Sequence, residues 1–217
     1  MNQKAEHDAV NILKGEGLFV DTGGLLSAEK TDKIIEISRN SFRRIRFNDQ
    51  DGSSVISSTQ YIDHPLCFGR DVFDIVLNRE LLSLLCSYFG EEPVLTSCRL
   101  QKKILPHKAG ILPHRDPDKG IGVIHYFTDC SKNTGATQFY LGSHINPPNE
   151  PLTDVKVDDA DYFSYVQLNN FNIASLDGYP RGTTAIFNRS IIHSVPAYSI
   201  PGRIVILSIY HPRCIAK

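Results

Sequence analysis

The segment Pro113-His114-Arg115-Asp116-Pro117 places a histidine and a carboxylate two residues apart. On a strand, residues i and i+2 share a face, so His114 and Asp116 would offer two ligand atoms side by side. A later histidine, His193, would complete a set of two imidazoles and one carboxylate. Such a set grips one face of a divalent metal and leaves the opposite positions open, as in non-haem Fe(II) sites. Arg203, ten residues beyond His193, would supply a fixed cation for a carboxylated co-substrate.

Each of these residues also has a plainer reading. The His114-Arg115-Asp116 triplet suits a surface turn before Pro117, and it occurs in protein-kinase catalytic loops. The kinase reading fails, because no asparagine follows at the required offset and no glycine-rich loop with a strand lysine precedes it. A lone histidine such as His193 is more often a satisfied core residue. His107, His125, His144 and His211 fit no structural zinc spacing. His144 is expected to fix the turn after Gly142 and Ser143, Asp118 and Asp129 to lie in loops, and Arg115 to point outward. Arg189 shares strand parity with His193 and would serve either an anionic substrate group or a surface salt bridge.

The chain has 217 residues, 41% hydrophobic and 22% charged, enough for one ordinary core. One domain over residues 1–217 is expected. A formal net charge of -1 gives no electrostatic footprint for nucleic acid or an anionic membrane. The five cysteines, Cys67, Cys86, Cys98, Cys130 and Cys214, are widely spaced and form no CxxC pair, which fits a reducing compartment. With a polar N-terminus and no long apolar run, a cytoplasmic location is expected, without membrane attachment.

Helical spacing is expected over residues 3–14, over 28–45 with Ser27 as N-cap, and over 70–88 up to a stop at Gly90. The basic end of the second helix, Arg39, Arg43, Arg44 and Arg46, suits a solvated C-terminus. Residues 17–21 read as a strand and 47–60 as a loop. From 93 to 105 the chain is strand-like, with Arg99, Gln101 and Lys103 on one face. Short strands follow at 122–127, 136–141, 183–187, 191–195 and 203–210. This order predicts an α+β fold in which N-terminal helices, within residues 1–92, brace an antiparallel barrel or sandwich over 93–213. Residues 146–181 interrupt the strands and are rich in Pro, Asn and Asp, with Tyr162, Phe163, Tyr165 and Phe171 among them. A loop of that length is a candidate cover for a pocket. Its acids, Asp154, Asp158, Asp159 and Asp161, would favour a cationic substrate or simply be solvated, and its aromatics would pack on a ligand or anchor the loop.

Taken in order, His114-Arg115-Asp116, Tyr126 to Asp129, Asn133 to Thr137, Gly142-Ser143-His144, Gly182 to Phe187, His193 and Arg203 resemble the Fe(II)- and 2-oxoglutarate-dependent oxygenases. The Gly-Ser-His piece and the N-terminal helices resemble the phytanoyl-CoA dioxygenase branch. Gly135 to Phe139 and the step from His193 to Arg203 resemble the prolyl-hydroxylase branch. The resemblance implies a double-stranded β-helix, a cupin-like jelly-roll barrel, with His114, Asp116 and His193 on Fe(II) and with 2-oxoglutarate and O2 as co-substrates. Arg203 would meet the far carboxylate of 2-oxoglutarate with a guanidinium fork, where burial would make an unpaired charge costly. By the prolyl-hydroxylase pattern Thr137 would offer its hydroxyl to the same carboxylate, and Gln101 is a candidate for the keto-acid end.

The expected activity is hydroxylation of an unactivated C–H bond of a small molecule, with succinate and CO2 as co-products. An intact Asp116 favours hydroxylation over halogenation, since halogenating relatives leave that metal position to halide. The alternatives are a hydroxylase of peptidyl side chains and a non-catalytic cupin-like metabolite-binding module.

Overall fold

The structure, a computed structural model, describes residues 3–44, 53–56, 59–108, 110–116, 118–146, 154–157, 160–163, 168 and 170–214. In chain order it opens with α1 (Gln3–Glu16), β1 (Leu18–Thr22), α2 (Ala28–Arg44), β2 (Ser53–Ile56) and β3 (Thr59–Ile62). Helices α3 (Arg70–Val76) and α4 (Arg79–Phe89) follow, then the long β4 (Pro93–Lys103), β5 (Ile111–His114), β6 (Ile121–Tyr126) and β7 (Gln138–Tyr140). The remainder is β8 (Asp154–Val157), β9 (Ala160–Phe163), β10 (Ile173–Ser175), β11 (Thr183–Asn188), β12 (His193–Val195) and β13 (Ile204–Pro212).

All ladders are antiparallel. A seven-stranded sheet runs β1-β11-β6-β13-β4-β3-β2, and a four-stranded sheet runs β10-β7-β12-β5. Strands β8 and β9 form a separate hairpin, and β9 lies beside β5. The expected α+β class with an antiparallel core is what the chain adopts. The two sheets do not join into one closed ladder among the described residues; they face each other as a sandwich.

Strand alternation assigns the two faces of the large sheet. Ile204, Ile206 and Tyr210 of β13, Ile121 and Val123 of β6, and Cys98 and Leu100 of β4 face the helices. There they meet Val10 and Leu13 of α1, Ile34 and Phe42 of α2, Ile75 of α3, and Leu81, Leu84 and Leu85 of α4. The intervening residues, Val205, Leu207, Ile124, Tyr126, Arg99, Gln101 and Lys103, face the small sheet and line a cavity. Helices therefore stiffen one face of the sheet, and the other is left for chemistry.

Several local expectations need correction. The helix expected over 70–88 is two helices, because Asn78 starts a new one: its side chain accepts from the Glu80 and Leu81 N–H groups at 2.8 and 3.2 Å. Gly90 does end α4, at φ 74°. The expected loop over 47–60 contains β2 and the start of β3, which extend the large sheet beyond β4. Turn-rich composition there hid a hairpin. Residues 146–181 are not a single excursion, since β10 returns to pair with β7 in the small sheet. Ile45 and Arg46, Pro117, Asp158, Asp159 and Tyr165 lie outside the described residues. Within the described residues, no helix is long and apolar enough to cross a membrane.

Candidate metal centre

His114 is the last residue of β5 and pairs with His193, the first residue of β12, so the two imidazoles come from directly opposed strand positions. Their ring centroids are 4.3 Å apart. Asp116 lies just past the strand end rather than on the strand, held there by its N–H bond to the Arg189 carbonyl at 3.2 Å. The two-residue spacing still works, and the ligand atoms of His114, Asp116 and His193 all fall within 4.8 Å of one another. No other cluster of three such side chains occurs among the described residues.

The hydrogen bonds favour ligation. His114 Nδ1 lies 2.8 Å from the Leu112 carbonyl and His193 Nδ1 lies 3.1 Å from the Ile191 carbonyl. A carbonyl only accepts, so each Nδ1 carries the proton and each Nε2 keeps its lone pair for a metal. His193 Nε2 is 4.0 Å from Asp116 Oδ2. Burial, with the neighbouring His193, pushes the His114 imidazole down to about 4, against the raising effect of the Leu112 carbonyl and Asp116. Its neutral, ligating form therefore prevails at pH 7. Burial alone would raise the Asp116 carboxyl, but His193 and the Arg189 guanidinium together hold it below the usual carboxylate value. Two imidazoles and one carboxylate suit a divalent first-row metal.

Arg189 is buried, lines the cavity and is paired with two acids. Its Nε donates to Asp116 Oδ2 at 2.9 Å and its fork also reaches the Asp118 carboxylate. Asp118 in turn lies 3.5 Å from His211 Nε2, so this loop acid belongs to the support of the centre. Arg115 does not line the cavity but is half-buried rather than outward, donating to the Ser143 carbonyl at 3.1 Å. His144 Nε2 bonds the Lys14 carbonyl at 2.9 Å and ties the turn after Gly142 to the end of α1. Asp129 Oδ1 accepts from the Arg181 N–H at 2.8 Å, a loop role. Phe171 packs with Tyr140, Leu168 and Ile192, so it anchors its loop.

The three candidate ligands share a cavity of about 310 Å³ with Gln101, Thr137 and Arg203. Arg203 precedes β13, is buried, and donates to the Gly135 carbonyl. Gly135 sits at φ +79°, and a Cβ there would press on the Tyr198 ring at 2.8 Å. The Nε of Arg203 is buried and has no hydrogen-bond partner among the described residues. Thr137 Oγ1 lies 2.9 Å from the Tyr126 hydroxyl, whose pKa burial pushes well up, so the phenol stays neutral. Phe139 pairs with His193, and Thr137 is two residues further along, about 7 Å at the usual strand rise. Two features escaped the sequence reading: the Arg189–Asp118 support and the burial of Lys103 beside Arg203. Alternation put Lys103 on one face with Arg99 and Gln101, which was the available signal.

No family model and no curated protein matches the sequence. Solved structures do match in fold. The epimerase SnoN, in complex with Fe3+, alpha ketoglutarate and nogalamycin RO, superposes with a TM-score of 0.74 at 15% identity, over 97% of this chain and 85% of its own. AviO1 from Streptomyces viridochromogenes Tue57 gives 0.70 at 14% identity, covering 98% and 97%. HygX from Streptomyces hygroscopicus, with nickel, 2-oxoglutarate and hygromycin B bound, gives 0.66 at 14%, covering 98% and 88%. The chain has the fold of these proteins.

Proposed function

We propose that this protein is an Fe(II)- and 2-oxoglutarate-dependent oxygenase that hydroxylates a C–H bond of a small molecule. One observation carries the reading: His114, Asp116 and His193 converge in a cavity that also holds a buried arginine with an unsatisfied donor. The donor set fits ferrous iron, and Arg203 with Thr137 fits the distal carboxylate of a five-carbon oxo diacid. When bound, iron and 2-oxoglutarate would supply the oxidising chemistry, decarboxylation to succinate and CO2 coupled to reduction of O2 and oxidation of the substrate.

The protein's own contribution is placement. His114 and His193 present Nε2, and Arg189 keeps Asp116 ionised and oriented. Arg203 and Thr137 would hold the far carboxylate, and Gln101 would meet the keto-acid end. Ile124, Phe187, Val205 and Leu207 form apolar walls that keep water from the reacting centre. Residues 146–181 would cover the substrate, which is supported by β9 lying beside β5, the strand that ends in His114.

Nogalamycin RO and hygromycin B in the SnoN and HygX structures support a small-molecule substrate. SnoN is an epimerase, so the same fold admits outcomes other than hydroxylation. The Gly142-Ser143-His144 turn, tied to α1, supports the phytanoyl-CoA dioxygenase pattern. The test is succinate formation from 2-oxoglutarate across a metabolite panel, under air with Fe(II). A substrate that stimulates succinate in wild type and not in Asp116→Ala supports the reading. Binding of metabolites without any succinate would favour a binding module.

A further inference from the structure

The cavity holds more positive charge than the metal centre and a single arginine require. Its wall includes Arg99, Lys103, Arg189 and Arg203 but one carboxylate, Asp116. Arg189 is neutralised by Asp116 and Asp118, and Arg99 lies 2.7 Å from Asp63. Lys103 and Arg203 remain, and neither forms an ion pair among the described residues. Both are buried, with 7% and 6% of their surface exposed.

They are also neighbours by construction. Lys103 ends β4 and Arg203 stands just before β13, joined by the Lys103 N–H to Arg203 carbonyl bond at 2.9 Å. Like charges opposed across a ladder repel each other. The polar partners they do have are neutral. Lys103 Nζ donates to Thr59 Oγ1 at 2.8 Å and sits 5.4 Å from the Tyr198 ring centre, while Arg203 donates to the Gly135 carbonyl. Two desolvated cations opposed across a ladder with no acid paired to either among the described residues form an arrangement that a bound anion would complete.

Building on the co-substrate reading above, we propose that Lys103 is the second cation of that site. Its ammonium and the Arg203 guanidinium together receive the distal carboxylate of 2-oxoglutarate. The arginine meets the carboxylate with its planar fork, and the lysine adds a point charge from β4.

The lysine brings a property that arginine lacks. Burial, and then Arg203, lower the Lys103 ammonium to about 8. Arg203 stands opposite it, the Tyr198 ring lies beside its ammonium, and Tyr61, Tyr126 and Asp116 line the same cavity, yet among the described residues no carboxylate pairs with it. As pH rises through this range the ammonium deprotonates and the anion site loses one of its two charges. Affinity for 2-oxoglutarate should be constant below about pH 8 and fall up to tenfold per pH unit above it.

The experiment titrates 2-oxoglutarate into anaerobic Fe(II) protein and follows the visible band of the chelate, for wild type, Lys103→Met and Lys103→Arg, between about pH 7 and about pH 9. Lys103→Met should raise the Kd for 2-oxoglutarate about 10- to 100-fold, the loss of one charge-assisted hydrogen bond, with Fe(II) affinity unchanged. Lys103→Arg should restore binding and flatten the pH dependence, which a purely structural lysine would not do. The wild-type profile needs no substitution and guards against a misfolded variant. A flat wild-type profile, or a Lys103→Met protein that binds as tightly as wild type, overturns the assignment. A wild type that forms no chelate at all removes the co-substrate reading and this one with it, whereas a normal wild-type chelate with unaltered Lys103→Met removes the lysine alone.

Discussion

Replacing Gly122 by Ala adds one methyl group whose nearest neighbours are atoms of Phe187 rather than the metal ligands, yet it should reach the ligands through that ring. Gly122 of β6 stands opposite Phe187 of β11 in the register, and the Phe187 ring lies over it, so a Cβ at Gly122 would collide with that ring. The ring has little room to retreat. Phe187 is 2% exposed, and its centroid is 5.2 Å from that of Phe139 and 5.3 Å from that of His193. Overpacking of a filled core costs about 1–3 kcal/mol. For a domain of this size that corresponds to a fall in melting temperature of roughly 2–12 °C. The displaced ring would press on His193, so metal affinity should fall as well. The assay is thermal unfolding of the metal-free protein alongside a metal titration, for Gly122→Ala and for Gly122→Ala with Phe187→Leu. The smaller side chain should recover part of both losses. Wild-type stability in Gly122→Ala, or a loss that Phe187→Leu does not relieve, would refute the packing argument.

Other expectations follow from buried polar groups. Arg203→Met should weaken 2-oxoglutarate about 100-fold with Fe(II) affinity kept, and should leave the melting temperature of the ligand-free protein unchanged or higher, since it removes a buried charge with an orphaned Nε. His125 is fully buried, and burial pushes its imidazole down to about 3. The unfolded chain takes up that proton below about pH 6.5 and the folded chain does not, so stability should decline as pH falls by up to about 1.4 kcal/mol per unit. His125→Gln should flatten that acid limb in denaturant titrations. Of the five thiols, Cys67, Cys86 and Cys214 are exposed, whereas Cys98 and Cys130 are buried, with burial raising them to about 11 and about 12. A thiol reagent should therefore modify three groups quickly in the native protein and the remaining two after unfolding.

Much of the centre was legible because its determinants are local. The two-residue step from His114 to Asp116 was readable from strand geometry even though Asp116 lies past the end of β5, and alternation along β4 put Gln101 and Lys103 on one face, which is the face that lines the cavity. What stayed hidden depends on long-range register. Nothing near Arg189 in the sequence announces that it reaches back to Asp116 and Asp118, since that contact exists only because β11 and β6 pair. The unpaired state of Lys103 and Arg203 likewise follows from which acids lie elsewhere. The break at Asn78 was readable in principle: an Asn followed by Arg-Glu inside an apolar helical pattern is a cap signal, but the continuous run of Val, Ile and Leu masked it.

The central claim is that His114, Asp116 and His193 hold iron in a form that 2-oxoglutarate can chelate. Anaerobic protein mixed with Fe(II) and 2-oxoglutarate tests it most directly. The weak visible charge-transfer band of the chelate should develop in wild type and be absent in His193→Ala, with the variant's circular dichroism unchanged. No band in wild type, or a band that survives in His193→Ala, would contradict the account.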